Sequence, residues 1–266
     1  IDDGKGFFMK IMRLHRWLLD EYKRDGSFAW GKTIVGYSTL VLAIIIISGL
    51  VIWYPRNRKA LKNRFKIRTK AGWFRFLYDL HVSGGFYAAL LLLILALTGL
   101  TWSFGWYRDA FYTAFGISTT SKQTHAPTSA VPQKTAGERG SKKHPKTDYT
   151  QWSEVLADLQ SRYPEYKSIS IQDGSATVST AAYGNTRGSD RYSFDPATGK
   201  ITEIQLYKDL PKSAKIRGWI YSVHAGTWGG LTTRILSCLV SLLGAVFAIT
   251  GYYFWIKKKL RKSKQR

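Results

Sequence analysis

Five histidines are the side chains of this sequence best suited to hold a metal, and they lie in two unlike settings. His125 and His144 fall in the stretch 118–148, rich in Ser, Thr, Lys and Pro, where solvated polar side chains need no further role. His15, His81 and His224 instead lie beside long apolar runs, and each is followed by a small hydroxyl residue, a glycine and then a tryptophan. The three copies read Ser48-Gly49-Leu50-Val51-Ile52-Trp53, Thr98-Gly99-Leu100-Thr101-Trp102 and Thr250-Gly251-Tyr252-Tyr253-Phe254-Trp255. They form a degenerate repeat, with a histidine at one membrane edge and a Ser/Thr-Gly pair at the other. Neutral imidazole is the usual axial ligand of a b-type haem, one ring nitrogen donating to iron while a hydrogen bond fixes the other. Small residues at Gly36, Gly49, Gly84, Gly85, Gly99, Gly244 and Gly251 would let a helix or a flat cofactor approach a backbone closely.

Other chemistries find little support. The single cysteine, Cys238, lies inside an apolar run and reads as a packing residue. Gly84-Gly85 and Gly229-Gly230 open hydrophobic helices and do not link a strand to a helix, so no NAD or flavin fingerprint is present. No nucleophile with a base, carboxylate pair or zinc spacing stands out, which argues against hydrolysis and a zinc site. If these histidines hold a haem that moves electrons, the donor is expected to be quinol or a separate reductase. The histidines are candidate ligands, and the sequence singles out no catalytic side chain.

Three apolar runs must position these histidines. Thr33 to Trp53, Val82 to Trp106 and Ile235 to Ile256 carry no charge and are long enough, at about 1.5 Å per residue, to cross a hydrocarbon layer of roughly 30 Å. Trp and Tyr gather at their ends, as at Trp53, Tyr54, Trp102, Trp106, Tyr252 and Trp255, where amphipathic rings prefer the headgroup layer. Lys and Arg number 40 against 17 Asp and Glu in 266 residues. Nine of the basic residues lie between Tyr54 and Leu80 and seven fill 257–266, so both clusters abut spans. That placement suits a cytoplasmic face beside anionic lipid and argues against nucleic acid as partner. With the basic loop inside, His81 lies at the cytoplasmic edge and His15 and His224 at the outer edge. His15 and His224 can then share one iron, whereas His81 is too far away to join them. The run FFMKIMRLHRWLL puts Phe8, Ile11, Leu14, His15, Leu18 and Leu19 on one helical face. The sequence opens without methionine or an export signal, so an upstream span bearing a partner for His81 is expected, four helices in all.

The expected organisation is an interfacial helix in 1–32, a span at 33–54, a basic loop at 55–81 and a span at 82–107. A linker at 108–148, a small soluble domain at 149–217, an interfacial segment and span at 218–256 and a basic tail at 257–266 complete it. Within the soluble domain, Gln151 to Tyr163 has Trp152, Val155, Leu156 and Leu159 on one helical face, with Pro164 as a stop. Lys167–Ile171, Ala176–Ala182, Asp190–Phe194 and Ile201–Tyr207 alternate as strands, with a turn over Asp195 to Lys200. The fold class is thus a membrane protein, an α-helical transmembrane bundle with a small α+β domain.

These residues resemble the PepSY-associated transmembrane family, which includes bacterial inner-membrane ferric-siderophore reductases and iron-regulated membrane proteins. The resemblance rests on Leu14-His15-Arg16-Trp17-Leu18-Leu19, Gly49 to Pro55, Asp79-Leu80-His81 with Gly84 and Gly85, the Asp195 to Lys200 turn, and His224 with Thr250-Gly251. It implies a four-helix membrane domain with PepSY-type periplasmic modules and two haems b, His15 and His224 matching outer ligands and His81 an inner one. It also implies a periplasmic ferric siderophore or other ferric chelate as electron acceptor. The chain departs from the family in lacking the first helix, with its histidine, and part of the first periplasmic segment. Two other functions compete. One is a membrane-anchored PepSY module that binds or restrains a periplasmic partner; the other is a haem or metal transport factor.

Overall fold

The computed structural model describes residues 4–20, 28–55, 61, 64–117, 149–181 and 183–263. Most of the expected 108–148 linker, with His125 and His144, lies outside the described residues. The chain divides into two compact units, one formed by Ile1–Arg108 with Ile220–Arg266 and the other by Asp109–Trp219.

The first unit is helical. It contains α1 (Lys5–Trp17), α2 (Trp30–Trp53), α3 (Trp73–Asp79) and α4 (Gly85–Ser103). A π-helical turn over Leu80–Gly84 joins α3 to α4. The helices α5 (Gly105–Ala114), α6 (Trp152–Arg162), α7 (Lys212–His224) and α8 (Gly230–Ser263) follow along the chain. Among the described residues, three helices are long and apolar enough to cross a membrane, over Trp30–Trp53, Trp73–Ser103 and Gly230–Arg261. Their outward side chains are apolar, as at Ile52, Leu90, Leu231 and Ile249, which suits lipid and would be a liability in water.

Two of these helices are longer than the apolar runs alone suggest. The second begins at Trp73, so the end of the expected 55–81 loop is helix. There, buried Asp79 pairs with Arg75 at 3.0 Å and accepts the backbone N–H of Arg68 at 3.2 Å. Ser83 donates to the Arg64 carbonyl at 2.6 Å, so the polar groups of this stretch tie the basic loop to the helix. The third continues into the basic tail, because Lys and Arg are good helix formers and their charge suits a helix C-terminus. Lys257 also lies 3.8 Å over the Phe74 ring.

Close approaches occur where small residues permit them. A Cβ at Gly36 would meet Ser103 at 2.9 Å, and one at Gly244 would meet Leu92 at 3.1 Å, so α2 and α8 both lie hard against α4. Trp53 stacks on Phe86 at 3.9 Å at the opposite end from the Gly36 contact, making α2 antiparallel to α4. At Gly49 and Gly85 no helix comes so close: among the described residues a Cβ at either meets nothing within 4 Å.

The second unit holds four antiparallel strands, β1 (Ser168–Gln172), β2 (Ser175–Ser179), β3 (Asp190–Phe194) and β4 (Ile201–Gln205), paired in sequence order. Alternation puts Ala176, Val178, Tyr192 and Phe194 on one face, where Val155 and Leu159 of α6 cover them. The Asp195 turn forms as expected: Asp195 accepts from the Ala197 N–H at 3.0 Å and the Thr198 hydroxyl at 2.9 Å, and Gly199 takes φ 68°. The Ala197 amide first, then the Thr198 hydroxyl, hold its carboxyl below the usual carboxylate range. Tyr163 donates to Asp190 at 2.6 Å beside Tyr192; burial first, then these hydrogen bonds, push its phenol well above the ordinary tyrosine value.

Candidate functional site

His224 is the last residue of α7, just before a tight reversal into α8. Gly226 makes that reversal at φ 65°, where a Cβ would come within 2.5 Å of the Ser237 hydroxyl. The Thr233 hydroxyl donates to the Gly226 carbonyl at 2.6 Å, fastening the turn. The imidazole then lies against α4. Its Nδ1 is 3.0 Å from the Leu95 carbonyl and 3.1 Å from the Thr98 hydroxyl, and its Cε1 would be 3.1 Å from a Cβ on Gly99. Trp102 meets the ring edge-on at 5.1 Å. A carbonyl can only accept, so Nδ1 carries the proton and Nε2 keeps its lone pair. Burial first, then the neighbouring His15, lower the imidazole's pKa, while the Leu95 carbonyl pulls the other way. The net effect favours the neutral, ligating form.

His15 reaches this place on α1, whose side chains are all at least partly exposed. Its helix is anchored at its end. Leu18 and Leu19 both adopt positive φ, at 50° and 65°, and this turn lets Asp20 accept the Gly31 N–H at 3.2 Å. Gly31 is so close to α1 that a Cβ there would be 1.8 Å from the Trp17 carbonyl oxygen. The His15 and His224 ring centroids are 6.0 Å apart. That spacing would let His15 and His224 share one metal ion between their rings.

His81 sits in the π-helical turn, a distortion that often marks functional positions. Its Nδ1 is 2.8 Å from the Thr250 hydroxyl, and its Cε1 would be 3.2 Å from a Cβ on Gly251. Phe247 and Phe254 meet the ring edge-on, each at 5.8 Å. Thr98 lies seventeen helical positions after His81, about 25 Å of rise, so the two imidazole sites lie toward opposite ends of α4.

The repeat read from the sequence thus has a crossed structural meaning. Thr250-Gly251 faces His81, and Thr98-Gly99 faces His224, each pair serving a histidine of another copy. Ser48-Gly49 has no such neighbour among the described residues: the serine donates to the Ile45 carbonyl at 2.9 Å and nothing lies within 4 Å of a Cβ at Gly49. Gly31 and the Leu95 carbonyl belong to the site but carry no chemical signature in the sequence. Among the described residues, no three or more His, Cys, Asp and Glu side chains gather to hold a bare metal ion. Two imidazoles are a sparse set for such an ion, but they suit a tetrapyrrole that brings four in-plane nitrogens of its own.

The helices, the histidines at the two ends of α4 and the small sheet define an α-helical membrane protein with a compact α+β module. The chain belongs to the PepSY-associated transmembrane family, since the family model described as PepSY-associated TM region matches residues 2–258. No curated protein matches the chain.

Proposed function

We propose that this chain is a haem-binding electron-transfer protein of the bacterial inner membrane. It carries electrons from quinol or a separate reductase to a ferric siderophore or another ferric chelate in the periplasm. The carrying observation is the His15–His224 pair, 6.0 Å between ring centroids, with Nδ1 of His224 committed to Leu95 and Thr98. In this reading His15 and His224 hold the outer haem b, and His81 holds an inner one with a partner from outside the described residues. A bound haem supplies one-electron iron chemistry. The residues of the chain hold the ligand rings and separate the two sites along α4.

The orientation follows from charge. With the basic 55–81 loop and the tail in the cytoplasm, the His81 end faces inward and the His15–His224 end faces the periplasm. A second reading, favoured by the self-contained core of the sheet unit, is a module that binds or restrains a periplasmic partner. Anaerobic mixing of reduced protein with a ferric siderophore separates the readings. Reoxidation of the haem bands together with Fe(II) formation supports the first; stable reduced bands would refute the proposed acceptor.

A further inference from the structure

The two Thr-Gly pairs do more than let helices pack. Each threonine hydroxyl has one proton and donates it along its own helix: Thr98 to the Ile94 carbonyl at 2.7 Å and Thr250 to the Val246 carbonyl at 2.8 Å. A hydroxyl that has given its proton to a carbonyl can only accept from an imidazole. Both Nδ1 atoms are then N–H donors, and both Nε2 atoms keep the lone pair through which a neutral imidazole could bind a metal. The adjoining glycines complete the arrangement, because each lets the ring's Cε1 lie against the helix backbone.

We infer that Thr98-Gly99 and Thr250-Gly251 are imidazole seats, positioning His224 and His81 as Nδ1–H tautomers and tuning the sites they ligate. The inference rests on the haem reading only for the tuning; the tautomers belong to the chain itself. The two seats are unequal. His224 has two acceptors at Nδ1, the Leu95 carbonyl and Thr98, whereas His81 has Thr250 alone among the described residues. An acceptor at Nδ1 raises imidazole basicity and stabilises the oxidised metal, so losing the sole acceptor should act more strongly than losing one of two. The π-helical turn before α4 carries His81, and the far end of α4 carries a seat.

The test compares the full chain with Thr250→Val, Thr250→Ser and Thr98→Val. In histidine-15N-labelled protein in detergent, His81 and His224 should both appear as Nδ1–H tautomers, and Thr250→Val should disturb His81 only. In the haem-loaded protein, Thr250→Val should raise the midpoint potential of one site and weaken haem retention there by about 10–100-fold. Thr250→Ser should restore both, and Thr98→Val should have the smaller effect. An Nε2–H tautomer at His81 in the unaltered chain would overturn the inference, as would Thr250→Ser behaving like Thr250→Val. A chain with the expected tautomers that takes up no haem would sink the haem reading and leave the seats standing.

Discussion

Replacing Gly31 with alanine should detach His15 from His224 without unfolding the bundle. The new methyl group would start 1.8 Å from the Trp17 carbonyl oxygen and 2.8 Å from the Asp20 side chain. Ordinary contact begins at 3.4 Å, so the end of α1 must retreat by about 1.6 Å. Backbone cannot yield as a flexible side chain does, and His15 is only two residues before Trp17 on the same helix. The ring therefore moves by a similar amount, whereas metal–ligand distances tolerate only about 0.2 Å. Because α1 has no buried residues, the spans lose little when it shifts. Helical circular dichroism should be unchanged while the low-spin spectrum of the His15–His224 site gives way to a high-spin one. Gly31→Ala protein that keeps a full bis-imidazole spectrum would refute the reasoning.

Other perturbations separate the two units. Leu159→Ala should cost about 2–5 kcal/mol, because the side chain is fully buried beneath the sheet. Limited proteolysis should then cut the sheet unit faster while the visible spectrum stays the same. Raising the pH should weaken the same unit. Tyr163 stays protonated in the folded state at a pH where an unfolded tyrosine, with its ordinary value of 10.0, has ionised. Its contribution is complete below pH 10.0 and is lost as the pH climbs through the raised folded value, so near-ultraviolet circular dichroism should fall only in strong base. Gly99→Ala should press a methyl group to 3.1 Å from the His224 ring and broaden the spectrum of that site alone.

Much of the architecture was legible because lipid and a small core impose simple patterns. Uncharged runs mark the spans, period-two alternation marks β1 to β4, and the spacing of Trp152, Val155 and Leu159 marks α6. The placement of His15 beside His224 followed from counting crossings. The crossed pairing of histidines with Thr-Gly seats was not legible, since it depends on which helices are neighbours, and sequence order says nothing of that. Nor was Leu95, whose contribution is a backbone carbonyl that any residue would carry. Gly31 was hidden for a related reason. A glycine at a helix start looks ordinary until another helix is seen to end against it. Asp79 illustrates the opposite case: it broke the apolar pattern and so moved the expected start of the second span, although its charge is answered locally by Arg75.

Visible absorption of the purified chain, before and after dithionite, reads directly whether His15 and His224 hold a haem. A His15–His224 haem gives sharp low-spin b-type bands on reduction, and the same component is lost in both His15→Ala and His224→Ala. A colourless preparation from haem-replete cells, or full retention of that component in either variant, would contradict it.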